Sequence, residues 1–485
     1  MGVVAKQSFY NLLSIGLAFL LGAVNTLYLY PTFLGSVRQG LVVALLALSN
    51  LVQPFLSFGV QHAIIKFYSS FEDQWDRDAL LWFSLVAPLL IILGVGGVFW
   101  RQYESIAAFV SASNAGMGEY AYLILLIAIA TAYFEIFFSW LRVHLNSVFG
   151  NFLKEFYPRL LLFILLTGFS VEILSFHEFM LWLLAGYYLR LLIVILYSLK
   201  VYRPKIYWRL PANFKTILSY SLWILMSGMA ASFILDIDKS MLSNLVAMEN
   251  VAYYSVALFI ATVVEAPGRA MFQIVSPLVA KALNADDLKT LEQLLKKTSR
   301  NLLVVCGLLF LLINLNLDDF YTLVDKPGYR SAIAVVIIVS LGKLFSMSMG
   351  CLNNIIGNSK HYRYIMFFSI LAALLAVVLN LYWIPRFGLL GAAYATLVVI
   401  VLTNVLKIAL IYYHYNIHPY EWGTLKIVAL VGVLFLLADV VHINLPPVWS
   451  ILVRSLGIGL LFIGIAYVWG FMEDIKKAAK NYLAR

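Results

Sequence analysis

Apolar residues run through this chain in long blocks separated by short polar turns. Fourteen blocks approach or exceed the roughly 20 residues that an α-helix needs to cross a bilayer. They lie near 8–33, 40–65, 79–100, 118–141, 157–173, 178–199, 216–236, 250–280, 301–316, 331–356, 364–384, 387–411, 424–441 and 448–470. The fifth, ninth and thirteenth are the short ones. The pattern predicts an all-α integral membrane protein with about fourteen transmembrane helices.

Two polar segments carry a helical apolar face. Asn284 to Asn301 places Leu288, Leu291, Leu294 and Leu295 on one side with lysines opposite, and residues 471–485 do the same with Phe471, Ile475, Tyr482 and Leu483. Both read either as amphipathic helices on the inner leaflet or as solvated charged helices.

The blocks also repeat. NSVFGN (146–151) closes the fourth and NNIIGN (353–358) closes the tenth, 207 residues apart. LVQP ends at Pro54 in the second block and VVEAP at Pro267 in the eighth, an offset of 213. Two similar offsets predict two six-helix lobes, 1–200 and 216–411, related by an axis along the membrane normal. A cytoplasmic linker, 201–215, joins them; a helix pair, 424–470, and an amphipathic tail, 471–485, follow.

Composition agrees. The chain is 63% hydrophobic and 12% charged, against roughly a quarter charged in soluble domains, so lipid must be part of its solvent. A formal net charge of +10 raises nucleic acid as a partner, but the placement of the charges gives another reason. With the N-terminus inside, 24 of the 34 Lys and Arg fall in cytoplasmic turns, 7 in outer turns, and Arg190, Arg269 and Lys343 within blocks. That bias predicts cytoplasmic termini and an even span count, and no nucleic acid is expected. Cys306 and Cys351 show neither a disulfide framework nor metal-ligand spacing. The first block is too long for the apolar core of a signal peptide, so a removable one is not expected.

Several stretches resemble bacterial polysaccharide flippases. NLYWIPRFGLLGAAYAT (380–396) resembles their outer Ile-Pro-x-Phe-Gly turn followed by Gly-Ala-Ala-x-Ala-Thr; GNSKHYRY (357–364) resembles their Gly-x-x-Lys turn; 251–283 resembles their eighth helix. The family belongs to the superfamily of multidrug, oligosaccharidyl-lipid and polysaccharide exporters. The resemblance implies a two-lobed, V-shaped transporter, a monomer in the inner membrane, needing no cofactor. It would move an undecaprenyl-pyrophosphate-linked oligosaccharide from the inner to the outer leaflet by alternating access. Its partners would be that lipid-linked substrate, membrane lipids, and the polymerase and glycosyltransferases of the same pathway. The first block lacks the acidic residue common in multidrug extruders, and neither Arg38 nor Lys66 sits mid-span as the arginines of lipid II flippases do. Other classes stay open: a cation-coupled multidrug antiporter of the same superfamily, or a membrane glycosyltransferase or polymerase. The longest outer loop, about 101–118, offers Glu104 as its one acid, which disfavours the enzyme.

The candidate site centres on ATVVEAPGRAMFQIVSPLVAK (261–281). Arg269 and Lys343 fall near the middle of their blocks, where a charge costs about 2.5–3.5 kcal/mol and normally faces a bundle interior or a wet cavity. Guanidinium suits a pyrophosphate through planar multi-donor contact, ammonium as a point charge. Glu265 stands four residues before Arg269, the spacing at which helical side chains meet. Glu265 either tethers Arg269 until substrate arrives or holds a structural ion pair. Pro267 and Gly268, with Pro54 in the other lobe, are expected hinges. Asn50 and Gln53 are candidates for sugar hydroxyls or for interhelical bonds. Glu135, Arg142 and Arg190 read as side chains reaching for the interface, Asp236 and Asp238 as solvated at the outer mouth. His414 and His418 have helical spacing without a third ligand, so no metal site is assigned.

Overall fold

A computed structural model describes residues 14–111, 114, 116–144, 146–205, 210–440 and 445–471. The described part of every apolar block is helical, apart from short breaks. Among the described residues, eleven helices are long and apolar enough to cross a membrane, and the chain is a multi-pass membrane protein. The described parts of the fifth, seventh and thirteenth blocks fall short of that length-and-composition measure. The tail 472–485 lies outside the described residues.

Two compact units divide the chain at Ala252–Tyr253. In the first, the helices are α1 (Ser14–Leu34), α2 (Ser36–Ser57), α3 (Val60–Phe67), α4 (Gln74–Arg101) and α5 (Ala121–Val143). They continue as α6 (Ser147–Glu155), α7 (Tyr157–Ser170), α8 (Phe176–Val201) and α9 (Phe214–Leu245). Helix α2 packs on α5 and α9, α8 packs on α5, and α1 on α7. Trp140, Phe134, Leu80, Leu81 and Ile64 fill the core at the α3–α4–α5 junction. By compactness α9 groups with the first unit, packed against α2. The last part of α1, Val24–Leu34, is wound as a π-helix containing Pro31.

In the second unit follow α10 (Glu249–Thr262), whose first residues belong to the first unit, α11 (Ala266–Asn284), α12 (Leu288–Asn314), α13 (Leu317–Val324) and α14 (Ile333–Ser348). Then come α15 (Leu352–Asn358), α16 (Arg363–Phe387), α17 (Leu389–Tyr415), α18 (Trp422–Val440) and α19 (Pro447–Val468). The hairpin α16–α17 packs on α14 through α17; α12 packs against α11, α14 and α18. Leu302, Leu303, Cys306, Phe310, Leu311 and Phe462 form one core and Leu291, Leu295, Leu352, Ile355 and Ile356 another.

That second core corrects the reading of 284–301. The segment is no separate interfacial helix; it is the start of α12, and Leu291 and Leu295 are fully buried against α11 and α15. An apolar stripe on a basic helix looks alike whether lipid or protein covers it.

The spans break at defined places. Helix α2 stops at Phe58 and Gly59, both left-handed, just beyond Pro54, which the helix carries within it. The break in the backbone falls at 58–59, four residues beyond Pro54. Helices α14 and α15 are separated at Gly350 (φ 58°), where a Cβ would stand 2.6 Å from the Ser299 amide nitrogen. Only glycine meets both demands. Each hexamer of the repeat lies on a short helix after a broken span: Gly150 on α6, Gly357 on α15.

Candidate functional site

The stretch that interrupts the eighth block is neither a straight helix nor a proline kink. Helix α10 ends at Thr262, a single 3-10 turn covers Val263–Glu265, and α11 starts at Ala266. Pro267 occupies the first turn of α11, where its missing N–H has no intrahelical acceptor to lose and its fixed φ favours the start of a helix. Gly268 has ordinary helical geometry. A Cβ there would lie 2.4 Å from the Met347 sulfur, so the missing side chain lets α11 approach α14 closely.

That approach assembles the charges. Lys343 stands one turn before Met347 on α14, and its Nζ lies 3.0 Å from Glu265 Oε2. Arg269 Nη2 is 3.7 Å from Glu265 Oε1. The side chain of Arg269 is 63% exposed, against 21% for Glu265 and 19% for Lys343. One carboxylate is shared by two cations, leaving a net positive site. The close partner is the largely buried ammonium. The guanidinium is held loosely, at a distance beyond a hydrogen bond, with most of its surface outward. Beneath the cluster Val264 packs with Leu302, Cys306 and Leu344.

In the first unit, Asn50 is exposed on α2 and donates from Nδ2 to Asp236 Oδ2 at 3.1 Å. Lys239 Nζ donates to Asp236 Oδ1 at 2.7 Å. Asp236 and Asp238 are buried, not solvated as expected. The Gln53 amide nitrogen is buried and without a hydrogen-bond partner among the described residues. Glu135 pairs with Lys154 at 2.8 Å. Arg190, expected to reach the interface, is buried instead. His414 stacks on His361, ring centroids 3.7 Å apart, while His418 is exposed.

Sequence spacing found the Glu265–Arg269 pair and placed Lys343 at mid-block, but not in contact with Glu265. Asp236 and Arg190 were undervalued because burial within a bundle cannot be read from position in a block.

The model of a family described as polysaccharide biosynthesis protein matches residues 33–315, more than half of the 485. The chain belongs to that family. Its fold is shared with solved transporters. A structure described as lipid II flippase MurJ in an inward closed conformation superposes with a TM-score of 0.72 at 16% identity, covering 96% of this chain and 99% of that one. An inward-facing multidrug resistance MATE family transporter of the MOP superfamily gives 0.60 at 14% identity, with 87% and 95% covered. The MATE multidrug transporter DinF-BH gives 0.54 at 16%, with 85% and 96% covered. No curated protein matches the chain by sequence.

Proposed function

We propose that this protein flips an undecaprenyl-pyrophosphate-linked oligosaccharide from the inner to the outer leaflet of the inner membrane. It does so by alternating access, as a monomer with cytoplasmic termini. The observation that carries the reading is the cluster of Glu265, Lys343 and Arg269. Membership of a polysaccharide biosynthesis family and a fold shared with a lipid II flippase support it.

In this reading Glu265 neutralises Lys343 and leaves Arg269 to the substrate. A loosely held, well-exposed ion pair is worth only about 0–1 kcal/mol, so Arg269 gives it up at little cost. The guanidinium then offers parallel N–H donors to phosphate oxygens, a contact that a point charge cannot reproduce. Lys343 stays behind as fixed positive charge. Asn50 and Gln53 are the polar side chains of α2 that would meet sugar hydroxyls. Polymerase and glycosyltransferases of the same pathway are the partners that would consume and supply such a substrate.

The test is export of surface polysaccharide in a strain whose own copy is deleted. Arg269→Ala should abolish export while membrane level and melting temperature stay unchanged, because its removal strands no partner: Glu265 keeps Lys343. Arg269→Lys should retain part of the activity. Export at the wild-type rate by Arg269→Ala would overturn the reading.

A further inference from the structure

Arg190 is the fifteenth residue of the 26-residue α8, half-way along a span, and is 4% exposed. No carboxylate of the described residues pairs with it. Glu135, one turn along α5 from Thr131, is engaged by Lys154. The faces of the Arg190 guanidinium are covered: its carbon lies 4.3 Å from the Phe134 ring centroid and 4.8 Å from that of Tyr187. These contacts offset part of the cost of burying the charge. The edge is different. Nη2 makes one long bond, 3.3 Å, to Thr131 Oγ1. Nε is buried and has no hydrogen-bond partner among the described residues. Nε and Nη2 carry the two parallel N–H groups with which arginine grips two oxygens of one oxyanion. A buried cation with that edge unsatisfied is costly unless an anion visits it.

We propose that the Nε–Nη2 edge of Arg190, with the Thr131 hydroxyl beside it, is a binding site for a phosphate-class oxyanion inside the first unit. The proposal deepens the transport reading, and rests on it only for the lipid source of the phosphate. Access is supplied by α1. Its π-helical stretch carries Asn25, buried with its side-chain oxygen unpartnered among the described residues and its Nδ2 donating to the Arg159 carbonyl of α7 at 2.7 Å. It also carries the buried Tyr30. A π-wound stretch is a rarely populated form that marks functional segments. In this proposal, rewinding it towards α geometry turns Asn25 and Tyr30 and opens the way into the first unit.

The experiment titrates the purified full-length protein, in phosphatidylcholine nanodiscs, with inorganic pyrophosphate by calorimetry. Wild type should show a component that Arg190→Gln removes or weakens at least tenfold, and that Arg269→Gln leaves in place. Arg190→Lys keeps the charge and loses the paired donors. It should fold as wild type by melting temperature and still bind at least fivefold more weakly, which covers a Gln variant that fails to insert. Identical isotherms for wild type and Arg190→Lys would overturn the site. Loss of the component only in Arg269→Gln would also overturn it, while supporting the second-unit cluster. Displacement of pyrophosphate by undecaprenyl pyrophosphate assigns the site to the carrier lipid. Displacement by phosphatidylglycerol alone assigns it to a headgroup. Either supports an oxyanion site at Arg190 when Arg190→Lys abolishes the displacement, and displacement that Arg190→Lys leaves intact counts against it.

Discussion

At the scale of residues, the decisive feature is a carboxylate with unequal partners. Glu265 is bound closely to Lys343 and loosely to Arg269, so the three side chains should respond differently to removal. Glu265→Ala leaves a largely buried ammonium without a counter-charge and should destabilise the protein by about 3 kcal/mol. Lys343→Met leaves Glu265 with the looser Arg269 pair and should cost less. The double variant Glu265→Leu/Lys343→Met replaces both charges with apolar volume and should recover most of the loss. Thermal unfolding in detergent reads the cycle, and strictly additive losses would refute the pairing. The i,i+4 spacing of Glu265 and Arg269 was legible in the sequence because a helix fixes it locally. The Lys343 contact was not, because it depends on α11 meeting α14 through the side-chain-free surface of Gly268 against Met347. Mid-block charge could be seen in Arg190 too, and Tyr187 stands three residues before it on α8, but the cover from Phe134 comes from α5, far away in the chain.

At the scale of elements, the described residues of the linker expected over 201–215 are strapped to α4. Asp76 and Asp78, buried in the first turns of α4, take its hydrogen bonds. Asp76 accepts from the Ala212 amide at 2.7 Å, and Asp78 from the Lys205 amide at 3.1 Å and from the Tyr202 hydroxyl. Trp82 donates to the Lys205 carbonyl at 2.9 Å. Burial and the Asp78 carboxylate both push the Tyr202 phenol up, which keeps it a donor. The strap leads directly into α9 and holds the start of that helix beside α4. Proline and basic content pointed to a surface connection. It could not show that two aspartates more than a hundred residues earlier would fix it. Asp78→Ala takes the charged acceptor from the Lys205 amide and from the half-buried Tyr202 hydroxyl, about 1.5–3 kcal/mol of local stability. Hydrogen exchange at the Lys205 amide should accelerate about tenfold or more, with α5 protection unchanged. Unaltered exchange at Lys205 would show that the aspartate does not hold the strap.

At the scale of the whole molecule, the sequence was most informative about what lipid dictates. A spanning helix must satisfy its own backbone and present apolar residues for its full length, so every block could be located. What lipid does not dictate was less legible: α12 begins at Leu288, well before the apolar block that starts near Asn301. The same reasoning about charge gives the topology prediction. The bias of 24 basic residues to 7 places the turn after α15 in the cytoplasm and the turn after α4 outside. Cysteine labelling can read both. Cys306 and Cys351 are buried and should stay silent to a membrane-impermeant maleimide. Ser359 is buried and makes a poor reporter, whereas Glu104 and Lys360 are exposed. Glu104→Cys should therefore label on intact cells, and Lys360→Cys only after the membrane is opened. Four apolar blocks precede the end of the first repeat hexamer and ten precede the end of the second, both even numbers. Labelling of Lys360→Cys from outside would break that parity, and with it the two-lobe repeat and the cytoplasmic placement of the termini.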